Sequence, residues 1–96
     1  MAARFKTVSY TLTGVATSLA SIINSAGDTF VSSLTLRADQ ANAGEVNWYD
    51  SATGAIGGYL EAREAASFDL TGKFIKTTDL YLNGTLNDVV FITVIS

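Results

Sequence analysis

The segment Val89–Ile95 constrains the fold more than any other part of this sequence, because all of its residues except Thr93 are apolar. A strand that alternates apolar and polar residues can lie on one solvated sheet, whereas a strand that is apolar on both faces needs cover on both. We therefore expect one face of this strand to lie in a core. The other face would be covered by the chain's own short helix or by another protein.

The rest of the sequence indicates short strands separated by turns at fairly regular intervals, a pattern typical of a sandwich or barrel. We predict strands near residues 6–13, 29–37, 45–49, 59–62, 65–70 and 74–75, followed by a terminal hairpin. We expect residues 1–96 to form one all-β domain, an antiparallel, jelly-roll-like β-sandwich of about 7–8 short strands. The strand near 45–49 would lie at a sheet edge, and Phe30 would share a face with Leu34 and Leu36.

The single helical candidate spans residues 17–24. Its apolar residues recur at the spacing i, i+3, i+4, as Leu19, Ile22 and Ile23. Thr17 or Ser18 could cap its first turn. So short a helix would form only by packing on the sheet.

The C-terminal part of the chain predicts a β-hairpin with a four-residue loop over 84–87. A tight Asn-Gly turn would instead place Asp79 opposite Asp88, and like charges directly opposed are unfavourable. The longer loop places Leu82 opposite Val89, which keeps apolar residues together on one face.

The sequence contains no histidine and no cysteine, so Ser-His-Asp and Cys-His catalysis, histidine-ligated metals and disulfides cannot be built from this chain alone. Glu61 with Glu64 could form a glycosidase pair, but a solvated strand end is the simpler interpretation. Asp79, Asn87 and Asp88 could bind Ca²⁺, but turn residues bonded to their own backbone explain them more simply. We predict no catalytic residue, cofactor or metal site.

Charge and composition bear on the partners. A net charge of −3 argues against binding to the phosphate backbone of nucleic acids. No apolar run approaches the roughly 20 residues of a membrane span, and the N-terminus lacks the apolar region of a secretory signal. Charged residues make up 16% of the chain, against about 25% in typical domains. This low share indicates either a surface partly buried by partners or a compact, weakly charged monomer.

Two groups of residues are candidates for partner contacts. Trp48 and Tyr49, with Tyr59 nearby, could form an aromatic platform for a sugar or a protein, although core and edge packing would also explain them. Arg4 and Lys6 could contact an acidic neighbour, and a solvated cationic end is an equally good account.

Three segments of the sequence, taken in this order, are similar to segments of a known family: LTLRADQANAG at 34–44, YLEAREAASFDL at 59–70 and TDLYLNGTLND at 78–88. Together they resemble the small all-β virion structural proteins of tailed bacteriophages, of the capsid decoration or cement type. The sequence departs from the family pattern at Arg63, where a turn glycine would be expected, and around the bulky Trp48.

The resemblance implies a non-enzymatic β-sandwich on the virion, with the capsid surface favoured. Its partners would be the major capsid protein or another virion protein and its own copies, with a trimer favoured. We expect the partner contacts at Arg4, Phe5, Trp48, Tyr49, Val90, Ile92 and Val94. The alternatives are a tail or neck component, or a receptor- or carbohydrate-binding module that uses Trp48, Tyr49 and Tyr59.

Overall fold

A computed structural model describes residues 5–23, 30–49, 56–69 and 75–95, which form two antiparallel four-stranded sheets and a two-stranded ribbon. The strands are β1 Phe5–Thr11, β2 Thr17–Ser18, β3 Phe30–Val31, β4 Ser33–Ala38, β5 Val46–Tyr49, β6 Ile56–Leu60, β7 Ala65–Asp69, β8 Ile75–Lys76, β9 Tyr81–Gly84 and β10 Val89–Ile95. One helix, α1, spans Leu19–Ile23, and a 3-10 turn spans Thr77–Asp79. The prediction of an all-β antiparallel fold with one short helix is confirmed.

Sheet A has the strand order β1-β10-β4-β7, and sheet B has the order β2-β9-β5-β6. Side chains from both sheets and from α1 join one buried apolar cluster, which includes Leu34, Leu36, Ile92, Val46, Leu60, Leu82, Leu19 and Ile23. Alternation along each strand sends every second side chain into this cluster and leaves the others on an outer face. The sheets therefore form the two layers of a sandwich around a shared core.

The C-terminal strand β10 lies inside sheet A, paired with β1 on one side and β4 on the other. Val90, Ile92 and Val94 are 0%, 0% and 1% exposed, so the prediction that these three side chains contact a partner is wrong. They fill the core, because the central strand of a sheet offers the most contact to the opposite layer. The outer face of β10, with Phe91 and Ile95, is only partly buried.

The predicted terminal hairpin is absent, because β9 belongs to sheet B and β10 to sheet A. Leu82 lies opposite Trp48 and Thr17 rather than Val89. The turn between the two strands, in which the Asp88 N–H donates to the Thr85 carbonyl at 3.1 Å, crosses from one layer to the other. Both strands still send apolar residues into one core, so the hydrophobic pattern is satisfied without pairing between them.

A bend at Ser32 separates β3 from β4 and reverses the alternation of side chains. The Ser32 N–H and hydroxyl both donate to the Ile95 carbonyl, at 2.7 and 3.0 Å. As a result Val31 is buried and Phe30 is 54% exposed. The expectation that Phe30 shares a face with Leu34 is therefore wrong.

The helix α1 is held at both ends. The Ser18 hydroxyl accepts a hydrogen bond from the Ser21 N–H at 3.2 Å, which confirms the predicted cap. At the other end the Lys6 ammonium donates to the Ile23 carbonyl at 3.0 Å, a favourable position for a cation at a helix C-terminus. Among the described residues, no helix is long and apolar enough to cross a bilayer.

Candidate binding surface

Asp88 anchors a loop to the turn between the sheets. Its two carboxylate oxygens accept hydrogen bonds from the backbone N–H groups of Ala43 at 3.0 Å and Gly44 at 2.9 Å. The Asn42 amide joins the same connection by bonding both the N–H and the carbonyl of Val89, at 2.8 and 2.9 Å. Asp88 is 7% exposed, so its carboxylate is a buried acceptor satisfied by the backbone.

Glu64 forms hydrogen bonds within the turn in which it lies. One of its carboxylate oxygens accepts from the Glu61 N–H at 2.7 Å, while the Glu64 N–H donates to the Glu61 carbonyl at 3.0 Å. The pair therefore closes the turn that leads into β7. The part of the chain that the structure describes holds no cluster of three or more residues suited to a metal ion.

Trp48 points into the sandwich rather than out to a partner. Its indole meets the Phe68 ring edge-on, with centroids 5.6 Å apart and planes at 86°, and this contact joins the two sheets. Gly58 lies opposite on β6, and a Cβ there would overlap the indole ring. Trp48 shares the inward side of β5 with Val46, because the side-chain period of a strand is two. The predicted partner contact at Trp48 is corrected to a packing role.

Five of the described side chains on the outer face of sheet B form a patch that we call the tyrosine face: Tyr49, Tyr59, Tyr81, Asn47 and Asn83. Tyr49 pairs directly with Tyr81, and Asn47 lies between Asn83 and Tyr59. Directly opposed side chains have Cβ atoms about 5 Å apart, so the five form one continuous patch. Tyr59 is 54% exposed, and the other four are partly exposed.

This composition suits recognition of another molecule. Tyrosine offers a large, rigid contact area with a hydroxyl at its tip, and few rotatable bonds are immobilised when it binds. Asparagine adds both a donor and an acceptor. The five side chains carry no formal charge at neutral pH, so a partner can cover them without removing a charge from water. Because β5 lies between β9 and β6, rather than at the predicted edge, its outward side chains occupy the middle of the patch.

The other predicted contacts divide into two cases. Tyr49 and Tyr59 lie on the tyrosine face. Arg4 lies outside the described residues, and so does the side chain of Phe5, whose backbone pairs with Ile95 in β1. Tyr81 was missed by sequence reasoning, although its alternation with the apolar Leu82 in one strand was a usable signal.

A scan against protein-family models finds no match to this chain, and a search of curated proteins also finds none.

Proposed function

We propose that this chain is a non-enzymatic structural protein whose task is to bind other protein surfaces, as a capsid decoration or cement protein of the virion does. The observation that carries the proposal is the tyrosine face, an uncharged patch of paired Tyr and Asn side chains on the outside of sheet B. Protein interfaces are enriched in tyrosine and depleted of charge at their centres. The sequence segments that resemble small phage virion proteins favour another virion protein as the partner.

The partners we propose are the major capsid protein, or another virion protein, and further copies of the chain in a trimer. A nucleic acid would favour a cationic surface, and the tyrosine face has no cation among its five residues. A protein surface can match it with apolar contacts and with hydrogen bonds to the phenol and amide groups. Of the three strands that carry the face, β5 and β9 are paired on both sides and β6 is paired with β5, so little order has to be gained on binding.

Replacement of Tyr59 and Tyr81 by serine tests the proposal. We expect the wild-type chain to co-sediment with particles of the phage whose genome encodes it. The double variant should remain in the supernatant. Loss of a central tyrosine from an interface costs about 2 kcal/mol, roughly thirty-fold in Kd. The measurement is the pelleted fraction as a function of protein concentration.

Leu86→Ser is the matched control, because Leu86 is 60% exposed on the inter-sheet turn and outside the tyrosine face. It should pellet as the wild type does, and circular dichroism should show that all variants are folded. Failure of the wild-type chain to pellet would contradict the virion role. Equal pelleting of the double variant would contradict the assignment of the surface.

A carbohydrate-binding module is the second candidate, favoured by one observation: Tyr59 is the most exposed member of the tyrosine face and lies beside the Asn47 amide. An aromatic ring next to an amide can contact a sugar ring and its hydroxyl groups together. A glycan array separates the two candidates. Saturable glycan binding that is lost in Asn47→Ala, with the fold intact, would favour this module over a protein-binding role.

A further inference from the structure

A cavity of about 280 Å³ opens beside sheet A, where β4 ends and the turn before β7 approaches it. We call it the arginine pocket, after two of its lining residues: Arg37, Ala38, Asp39, Gln40, Arg63 and Phe91. Its rim is fixed by backbone pairing, since Ala38 donates to the Glu64 carbonyl at 2.9 Å and accepts from the Arg63 N–H at 3.2 Å. The pocket lies in the layer opposite to that of the tyrosine face.

The Arg37 guanidinium is positioned by an aromatic ring. Its central carbon lies 5.1 Å from the centroid of Phe91, within the range of a cation–π contact. A guanidinium held over an aromatic ring can still donate hydrogen bonds through its N–H groups. Within the described residues, Arg37 forms no ion pair.

Arg63 occupies a position that the backbone would give to glycine. Its φ is 74°, in the left-handed region that a non-glycine residue adopts at a penalty. The turn is closed by backbone groups and by the Glu64 carboxylate, none of which requires an arginine side chain at position 63. Its guanidinium likewise has no carboxylate partner in the part of the chain that the structure describes. The strained residue therefore adds a second cation to the lining of the pocket.

The charges around the pocket indicate which anion fits. Arg37 and Arg63 contribute two positive charges and Asp39 one negative charge, which leaves a net charge of +1 (2 − 1) on a chain whose net charge is −3. A single carboxylate balances this charge, whereas a doubly charged phosphate does not. The guanidinium fork also matches the planar geometry of a carboxylate.

We propose that the arginine pocket binds one carboxylate group of a protein partner, with Arg37 and Arg63 as the donors. The cavity is smaller than the roughly 300–1,000 Å³ of sites for drug-sized ligands, but it admits an acidic side chain or a chain terminus. This inference goes beyond the tyrosine face, because it assigns a second contact point on the other sheet and gives its chemistry.

The test is an NMR titration of the full chain with short peptides. The probe acetyl-Gly-Glu-Gly-amide carries a side-chain carboxylate, acetyl-Gly-Gly-Gly carries a terminal one, and acetyl-Gly-Gln-Gly-amide carries neither. We expect one or both carboxylate peptides to shift the Arg37 and Arg63 side-chain N–H signals saturably, and the glutamine peptide to leave them unchanged. The carboxylate peptide that binds more tightly shows whether the partner contributes a side-chain carboxylate or a terminal one.

The variant Arg63→Gly keeps the turn conformation accessible while it removes one cation, so it should stay folded and bind the carboxylate at least ten-fold more weakly, on the order of 1.4 kcal/mol. Lys76→Gln, which removes an exposed cation elsewhere, should bind as the wild type does. Equal shifts with the glutamine peptide, unchanged binding by Arg63→Gly, or tighter binding of inorganic phosphate would overturn the proposal. None of these results would affect the particle co-sedimentation test of the tyrosine face.

Discussion

At the scale of single residues, the loop after β4 depends on polar side chains that serve the backbone. Asp88 and Asn42 together bond the backbone of Ala43, Gly44 and Val89, so the partly buried polar groups of this connection are satisfied. Gly44 permits this close approach, because a Cβ at that position would overlap the Thr85 side chain. These residues are structural, and a sequence pattern alone cannot distinguish them from metal ligands.

Replacement of Asp88 by alanine should lower the free energy of unfolding by about 1–3 kcal/mol, because the partly buried N–H groups of Ala43 and Gly44 lose their carboxylate acceptor. Urea denaturation followed by the fluorescence of the single Trp48 measures the change. Asp79→Ala is the control, since Asp79 is exposed, and it should change the free energy by less than about 0.5 kcal/mol. Equal stability of the two variants would contradict the anchoring role of Asp88.

At the scale of elements, β10 shows what a hydrophobic pattern can and cannot predict. The run of apolar residues correctly predicted a strand with one core face, and alternation correctly placed Val46 and Trp48 on one side of β5. The pattern could not tell which face of β10 was inside, since Thr93 is the one polar residue that distinguishes the Phe91 and Ile95 face from the wholly apolar one. It also could not identify the partner strands, because Leu82 enters the same core from the opposite sheet.

The two faces of β10 should respond differently to truncation of a side chain. Ile92→Ala removes a fully buried side chain and should cost about 2–5 kcal/mol. Thr93 follows Ile92 in the strand and lies on the outer face. Thr93→Ala should therefore lower the free energy of unfolding by less than about 1 kcal/mol. Urea midpoints measure both, and similar losses in the two variants would contradict the assignment of the inner face.

At the scale of the whole molecule, the sandwich places two different surfaces on its two layers. The tyrosine face on sheet B is uncharged, whereas the arginine pocket beside sheet A has a net positive charge. Sequence reasoning found Tyr49 and Tyr59 of the first surface, because aromatic residues in strands are visible in the sequence. It could not find the pocket, because Arg37, Arg63 and Phe91 meet only when β4, β7 and β10 pair in one sheet.

Sedimentation equilibrium of the wild-type chain beside the Tyr59→Ser, Tyr81→Ser double variant tests most directly whether the tyrosine face binds protein. Our account predicts that the wild type associates into a trimer as its concentration rises, and that the double variant stays monomeric with an unchanged circular dichroism spectrum. A loss of about 2 kcal/mol at each of the two replaced tyrosines would weaken association by roughly a thousand-fold. A wild type that remains monomeric at high concentration would contradict the proposed trimer, and a double variant that associates equally well would contradict the assignment of the tyrosine face as its interface.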